Sequence, residues 1–291
     1  MAESIYGAVG PSCWDEAADS LDGASPGNGA GGPRRMAGLV STLEGEIIPR
    51  LMLARRHGAR TASDLHPGRQ PDAADVAAFT KLLLTSDASV ARGFVETLRA
   101  QHVSLESVFL DLMAPAAREL GRLWEEDLCD FTEVTLGLCR LHQLLRELSP
   151  VFAGDPTLAG QTRRALLVPA PGENHTFGLS LVVEFFRRAG WDVCSEYPAT
   201  SGDLAAIVRG EWFAVVGLSV GCENRLDQLA SSVRAVRRAS ANRDVGIMVG
   251  GRVFIDHPEL VSLVGADATA SDGRDAVLQA EEVFSLLARR S

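Results

Sequence analysis

A change of hydrophobic period near residue 150 constrains this chain more than any other feature. Between residues 73 and 152 the apolar side chains recur at helical spacing almost without a break. After residue 160 they condense into short runs: 165–169 (ALLVP), 191–197 (WDVCSEY), 213–220 (FAVVGLSV), 245–249 (VGIMV) and a weaker 266–270. Helical segments separate these runs, at 176–189, 202–210, 223–239, 257–264 and 273–289. Parallel strands need long crossover connections, and helices of this length supply them. The pattern therefore predicts an α/β fold, a flavodoxin-like (Rossmann-like) doubly wound five-stranded parallel sheet.

The preceding stretch predicts an all-α four-helix bundle cap. Its helices cover 73–85, 87–101 with Asp87 as N-cap, a segment starting at Ser104 and bent at Pro115, and a segment from Asp130 to about Leu148. Upstream, 39–57 (LVSTLEGEIIPRLMLARRH) has helical spacing broken by Pro49, and 58–72 (GARTASDLHPGRQPD) is rich in breakers. Residues 22–33 (DGASPGNGAGGP) have too little apolar area to offset backbone entropy. The expected organisation is a disordered tail over 1–36, an N-terminal helical segment and linker over 37–72, the bundle cap over 73–152 and the sheet domain over 161–291. An internal start at Met36 would remove only the tail.

Charge and cysteine usage narrow the function. Lysine and arginine number 28 against 38 acidic residues, a net charge of −10 that argues against holding nucleic acid or an anionic membrane by bulk field. No apolar run approaches the ~20 residues of a membrane span, and no secretory signal opens the chain. Cys13, Cys129, Cys139, Cys194 and Cys222 are odd in number and lack CxxC spacing, so neither a disulfide framework nor a cysteine zinc site is expected. The reading is a cytoplasmic protein. Phosphate-loop, HExxH and GxSxG motifs are missing.

In open α/β sheets ligands bind at the carboxyl ends of the strands. Three loops fall there: 168–178 (VPAPGENHTFG), 218–223 (LSVGCE) and 249–252 (VGGR). His175 is the sharpest feature, a loop histidine just before a helix with Glu173 two residues earlier. A neutral imidazole nitrogen is a good metal ligand, and a nearby carboxylate can fix the other ring nitrogen. Taken alone, such a histidine is more often simply solvated. His57, His66, His102 and His142 read as solvated or packed, Cys222 as a small buried hydrophobe, and Arg234, Arg237, Arg238 and Arg243 as a solvated face.

Around His175 the pattern resembles a known family. Glu173-Asn174-His175-Thr176-Phe177-Gly178 is similar to the cobalamin-binding motif Asp-x-His-x-x-Gly, which Ser-x-Leu and then Gly-Gly follow. Here Ser219-Val220-Gly221 comes after 40 intervening residues and Gly250-Gly251 after a further 28. Glu173 replaces the aspartate, which would shift its contact with the histidine. Gly221 replaces the leucine, which would remove a packing side chain from the pocket for the nucleotide tail. The resemblance implies cobalamin (vitamin B12, in its hydroxo-, methyl- or adenosyl- form) as cofactor, with His175 as the lower cobalt ligand. The cofactor's displaced dimethylbenzimidazole would enter a slot beside the sheet. Gly178 would make room at the helix start, Ser219 would hydrogen-bond the base, and Gly250 and Gly251 would let the tail pass.

Leu123-Trp124, then Asp130-Phe131-Thr132-Glu133, resembles the cap over the upper corrin face in methionine synthase and cobalamin photoreceptors. Trp124 would pack on that face; the alternative is ordinary bundle core. The photoreceptors' Glu-His, which follows the tryptophan after nine intervening residues, is Val134-Thr135 here. Glu44-Gly45-Glu46-Ile47-Ile48-Pro49-Arg50-Leu51-Met52 and the run from Pro169 to Leu179 are similar to cobalamin-binding antirepressors of photosynthesis genes, the AerR/PpaA type. That resemblance spans residues 39–288. It implies a light-responsive transcriptional regulator, not an enzyme, whose partner is a photosynthesis-gene repressor of the CrtJ/PpsR type. Promoter DNA would be reached only indirectly, no membrane is involved, and a homodimer stays open. Two alternatives remain: a corrinoid carrier protein of a methyltransferase system, and a haem-binding sensor with His175 as axial ligand.

Overall fold

The computed structural model describes residues 69–85, 87–153 and 163–288. The expected tail, the Pro49-interrupted segment, Met36, His57 and His66 lie outside the described residues. All described residues fall within one compact unit.

Helices α1 (Ala73–Thr85) and α2 (Ala88–Ala100) match the expected spans, and Asp87 caps α2 by accepting from the Ser89 N–H. Ser104 caps the next helix through the Ser107 N–H. The bend expected at Pro115 is instead spread over a π-helical segment, Val108–Met113, between the turn Leu105–Ser107 and α3 (Ala114–Glu125). Proline at the start of α3 has no N–H to give, so the ladder there tolerates a shifted register. Helix α4 (Phe131–Ala153) runs past Leu148 and carries Pro150 inside it.

The sheet strands are β1 (Arg164–Pro169), β2 (Asp192–Cys194), β3 (Val215–Ser219), β4 (Gly246–Gly250) and β5 (Ala268–Thr269). They pair in the order β2-β1-β3-β4-β5, and every pair is parallel. Between them run α5 (Phe177–Arg188), α6 (Ser201–Gly210), α7 (Leu226–Ala239), α8 (Arg252–Asp256), α9 (Leu260–Val264) and α10 (Gly273–Ala288). The helix expected over 257–264 is shortened to α9, and α8, which was not expected, lies ahead of that span, separated from α9 by His257–Glu259. Proline at 258 cannot donate to a continuing ladder. The chain order reverses between β1 and β3, which makes their carboxyl ends the switch-point crevice of the sheet.

Each sheet face has its own core. Leu166, Val168, Leu218, Val220, Ile247 and Val249 face one cluster; Ala165, Leu167, Val215 and Met248 face the other. The bundle joins this architecture through α5. Phe177, Leu181 and Phe185 belong to the same buried cluster as Phe79, Phe109, Leu112 and Leu141 of the bundle, while Val183 and Phe186 pack on the sheet. Helix α5 is therefore shared. At its far end Glu106 pairs with Arg188 of α5 at 3.1 Å and with Arg274 of α10, and Arg188 lies 4.5 Å over the ring of Phe152.

Candidate functional site

The loop after β1 is shaped by a tight turn. Ala170, Pro171, Gly172 and Glu173 close with the Glu173 N–H on the Ala170 carbonyl at 2.8 Å. Gly172 has φ +80°, the left-handed value that the third position of a type II turn demands, with proline before it. The turn sends the Glu173 side chain inward, where it is 1% exposed.

A buried carboxylate must be matched, and this one is. Its Oε1 accepts from the N–H groups of Asn174 and His175, each at 2.8 Å, and from His175 Nδ1 at 2.6 Å. Its Oε2 accepts from the Gly221 N–H at 2.6 Å, across the crevice at the end of β3. Burial alone would raise the Glu173 pKa. The His175 imidazole and the backbone donors of Gly221 and His175 outweigh it and hold the carboxyl at about 2. In turn the Glu173 bond raises the pKa of His175 against the burial of its ring, Arg225 opposing and Glu125 assisting.

Since an ionised carboxylate only accepts, Nδ1 carries a proton, and in the neutral imidazole Nε2 holds the lone pair. The His175 side chain is 68% exposed, so that nitrogen faces solution. An imidazole oriented through one nitrogen and open at the other is the arrangement of a metal ligand. Among the described residues no group of three or more His, Cys, Asp or Glu gathers to hold a metal by itself. His175 can thus supply one protein ligand to a metal that arrives with its remaining donors.

The other expected site residues divide. Ser219 ends β3, and its Oγ is buried with no hydrogen-bond partner. Leu218 and Val220 face one core, so Ser219 points to the opposite face, toward α5 and α10. Gly250 ends β4 in register with Ser219, and a Cβ there would meet nothing within 4 Å. Gly178, in the first turn of α5, also has open space before it. Gly251 differs: at φ +127° a Cβ would lie 1.8 Å from the Val220 carbonyl oxygen. The fold itself requires glycine at 251, whatever it also does for a ligand. An orphaned hydroxyl beside side-chain-free strand ends suits a polar heterocycle with a bulky tail, so these residues fit the nucleotide portion of cobalamin.

Trp124, near the end of α3, is 36% exposed and not bundle core. It stands with exposed Leu128 and Phe131 on the turn into α4, and Glu125 beside it acts electrostatically on His175. His142 is half-buried, its Nδ1 on the Leu138 carbonyl at 3.0 Å and its ring edge-on to Phe177 at 5.0 Å. Burial lowers its pKa. Cys222 is disulfide-bonded, contrary to the sequence expectation, while Cys129, Cys139 and Cys194 are free.

The two departures from the motif lie together in the structure. Glu173 reaches His175 despite its extra methylene. Gly221 sits against that pair, with a Cβ position 3.0 Å from His175 Nδ1. Sequence reasoning gave no role to Gly172; the Pro-Gly dipeptide was its signal. It also missed Arg225, whose guanidinium rests on Gly172 and has no local sequence signature.

Comparison with known proteins bears on the sheet domain and on the fold. Residues 163–281 match the B12 binding domain. A Rhodobacter capsulatus protein described as an uncharacterized 20.5 kDa protein in the bchF-crtJ intergenic region is 28% identical over 177 residues, 61% of this chain and 92% of the relative. Among solved structures, the Methanosarcina barkeri monomethylamine corrinoid protein superposes with a TM-score of 0.61 at 15% identity, covering 72% of this chain and 98% of that one. A cobalamin-binding protein from Desulfitobacterium hafniense DCB-2 aligns with a TM-score of 0.39 at 15% identity, over 72% of this chain and 98% of that one. The structural likeness concerns the fold alone. The match gives residues 163–281 a B12 binding domain, and the cofactor is cobalamin. No described helix is long and apolar enough to cross a membrane.

Proposed function

We propose that this chain is a light-responsive, cobalamin-dependent regulator that acts through a photosynthesis-gene repressor of the CrtJ/PpsR type. The observation that carries the proposal is the Glu173-held imidazole of His175, open at Nε2 in the switch-point crevice. When bound, cobalamin would supply light-sensitive cobalt–carbon chemistry.

The protein's own residues give that chemistry a readout. Glu173 fixes the ring of His175 so that Nε2 can ligate cobalt. Ser219, Gly250 and Gly178 provide the hydroxyl and clear walls for the nucleotide tail. Trp124 is exposed next to Glu125, which acts electrostatically on His175, and would be the side chain that senses the size of the group carried by cobalt. A ligand shifts a two-state equilibrium only by fitting one state better, and the bulk of the group carried by cobalt would be such a difference. Because Phe177, Leu181 and Phe185 of α5 sit in the bundle core, the bundle cannot slide freely over the sheet. Any movement carries α5, which begins two residues after His175. The net charge of −10 favours a protein partner over direct contact with promoter DNA.

The test loads the protein with adenosylcobalamin and compares dark and illuminated samples in two assays. Absorption spectra should change on illumination, and the light state alone should alter the repressor's retention on a promoter fragment. Equal repressor effects in dark and light would refute the proposal. The second reading, a corrinoid carrier of a methyltransferase system, draws on the fold shared with the monomethylamine corrinoid protein. It predicts instead methyl transfer from the bound cofactor to a thiol acceptor. A haem spectrum, with no corrinoid bound, would leave the Ser219 hydroxyl without a function.

A further inference from the structure

Gly221 occupies a place that no glycine role in turns explains. Its backbone lies outside the left-handed region, so conformation does not demand glycine there. What constrains the position is its neighbour. A Cβ on residue 221 would stand 3.0 Å from His175 Nδ1, 3.4 Å from His175 Cγ and 3.4 Å from Glu173 Oε2. The first distance forces the imidazole to give way by a few tenths of an ångström, and a longer side chain would have to pass the carboxylate. At the same time the Gly221 N–H is the donor that holds Oε2, at 2.6 Å. Residue 221 thus touches the Glu173–His175 pair twice, once by the bond it makes and once by the side chain it lacks.

We infer that Gly221 is a positioning residue for His175, and that residues 173 and 221 form a size-matched pair. Glu173 and a side chain longer than a methyl at 221 would compete for one space in the crevice between β1 and β3, since a Cβ there would already touch Oε2 at 3.4 Å. Glu173 reaches across to that N–H with its full length. A shorter carboxylate would leave the N–H behind, and a larger residue at 221 would turn the imidazole away from its bond. This inference rests on the reading of His175 as a cobalt ligand.

The experiment uses full-length protein and hydroxocobalamin as the probe, with Gly221→Ala, Gly221→Leu, Glu173→Asp, the double variant Glu173→Asp/Gly221→Leu, and His175→Ala. Affinity is read by spectroscopic titration. Histidine ligation is read from the nitrogen coupling in the electron paramagnetic resonance spectrum of the cobalt(II) form, with 15N-histidine labelling for assignment. Wild type should show the coupling and His175→Ala should lose it. Gly221→Leu should weaken binding roughly ten- to a hundredfold, the range for contacts that orient a ligating histidine, and should reduce the coupling. Gly221→Ala should fall between, with thermal unfolding of the cofactor-free protein near wild type. The double variant should recover affinity relative to Gly221→Leu, because the shorter carboxylate frees the space the leucine needs. Wild-type affinity and coupling in Gly221→Leu, or no recovery in the double variant, would overturn the inference while leaving His175 as ligand. Should Gly221→Leu fail to fold, wild-type coupling and affinity in Gly221→Ala would overturn it equally. Failure of wild type to bind the probe, or retention of coupling in His175→Ala, would instead overturn the underlying reading.

Discussion

Two stretches of the sheet's carboxyl edge lie side by side and are finished in opposite ways. Around Glu173 and His175 the protein satisfies itself: four hydrogen bonds converge on one buried carboxylate and fix the imidazole without outside help. Around Ser219 and Gly250 it does not, since a buried hydroxyl has no partner and a strand end has open space where a side chain would stand. The first region is pre-organised, which lowers the ordering cost of binding. The second carries a penalty of the kind left by an unmatched buried polar atom, about 1–3 kcal/mol, which a ligand can relieve. A cofactor that ligates at one place and inserts a tail at the other uses both.

The paired glycines 250 and 251 offer the largest test of this contrast. Gly251→Ala should destabilise the cofactor-free protein by about 3 kcal/mol or more, because its Cβ would meet the Val220 carbonyl 1.8 Å away at a φ that disfavours side chains. Gly250→Ala should leave that stability within about 0.5 kcal/mol, with nothing in the way, and lower cobalamin affinity. Urea unfolding of both variants decides it. Equal stability losses would erase the distinction between a glycine the fold needs and one a ligand needs.

His175→Ala should act in the reverse sense. Cobalamin affinity should fall by more than the roughly hundredfold seen when contacts around a ligating histidine are removed. Unfolding of the cofactor-free protein should shift by only about 1 kcal/mol, the loss of one hydrogen bond to Glu173 from an otherwise exposed side chain. Ser219→Ala separates the regions further. It should raise cofactor-free stability by about 1 kcal/mol by removing the orphaned hydroxyl, and weaken cobalamin binding about tenfold. Thr269→Val is the control. Its Oγ1 is also buried without a partner, but residue 269 pairs with Val249 and so faces the other side of the sheet from Ser219. It should gain stability with affinity unchanged.

The contrast also explains what could be read before the structure. Apolar periodicity placed all five strands and the sheet's class, because buried parallel strands must be continuously apolar and nothing else in the chain competes for that pattern. It failed at Pro150 and at the 257–264 helix, where tertiary packing overrides or enforces a proline break. Motif spacing singled out His175, Ser219 and Gly250, whose chemistry is local to one residue. It could not supply the Glu173–Gly221 bond, because two segments 48 residues apart meet only when β1 and β3 pair. Trp124 was ambiguous because the spacing that buries a helix face also edges it, and its exposure depends on where α3 ends.

The smallest effect concerns pH, and it sets the two regions against one another. Glu173 has its carboxyl held at about 2 against an ordinary 4.5, so its contribution to folding is present above pH 4.5 and is lost as pH falls below it. The raised pKa of His175 works oppositely: its contribution is complete below 6.5 and fades as pH rises through the folded value. The pair should therefore stabilise the cofactor-free protein most between pH 4.5 and 6.5. Unfolding curves of wild type minus Glu173→Gln, taken across pH, should trace that window, and a flat difference would mean the bond to His175 is not made in solution. Cobalamin affinity should climb with pH through the same upper limb, since cobalt and proton compete for one imidazole and ligation needs it neutral. Ser219→Ala should lower that affinity by the same factor at every pH, because a hydroxyl without a titrating partner has no proton to lose.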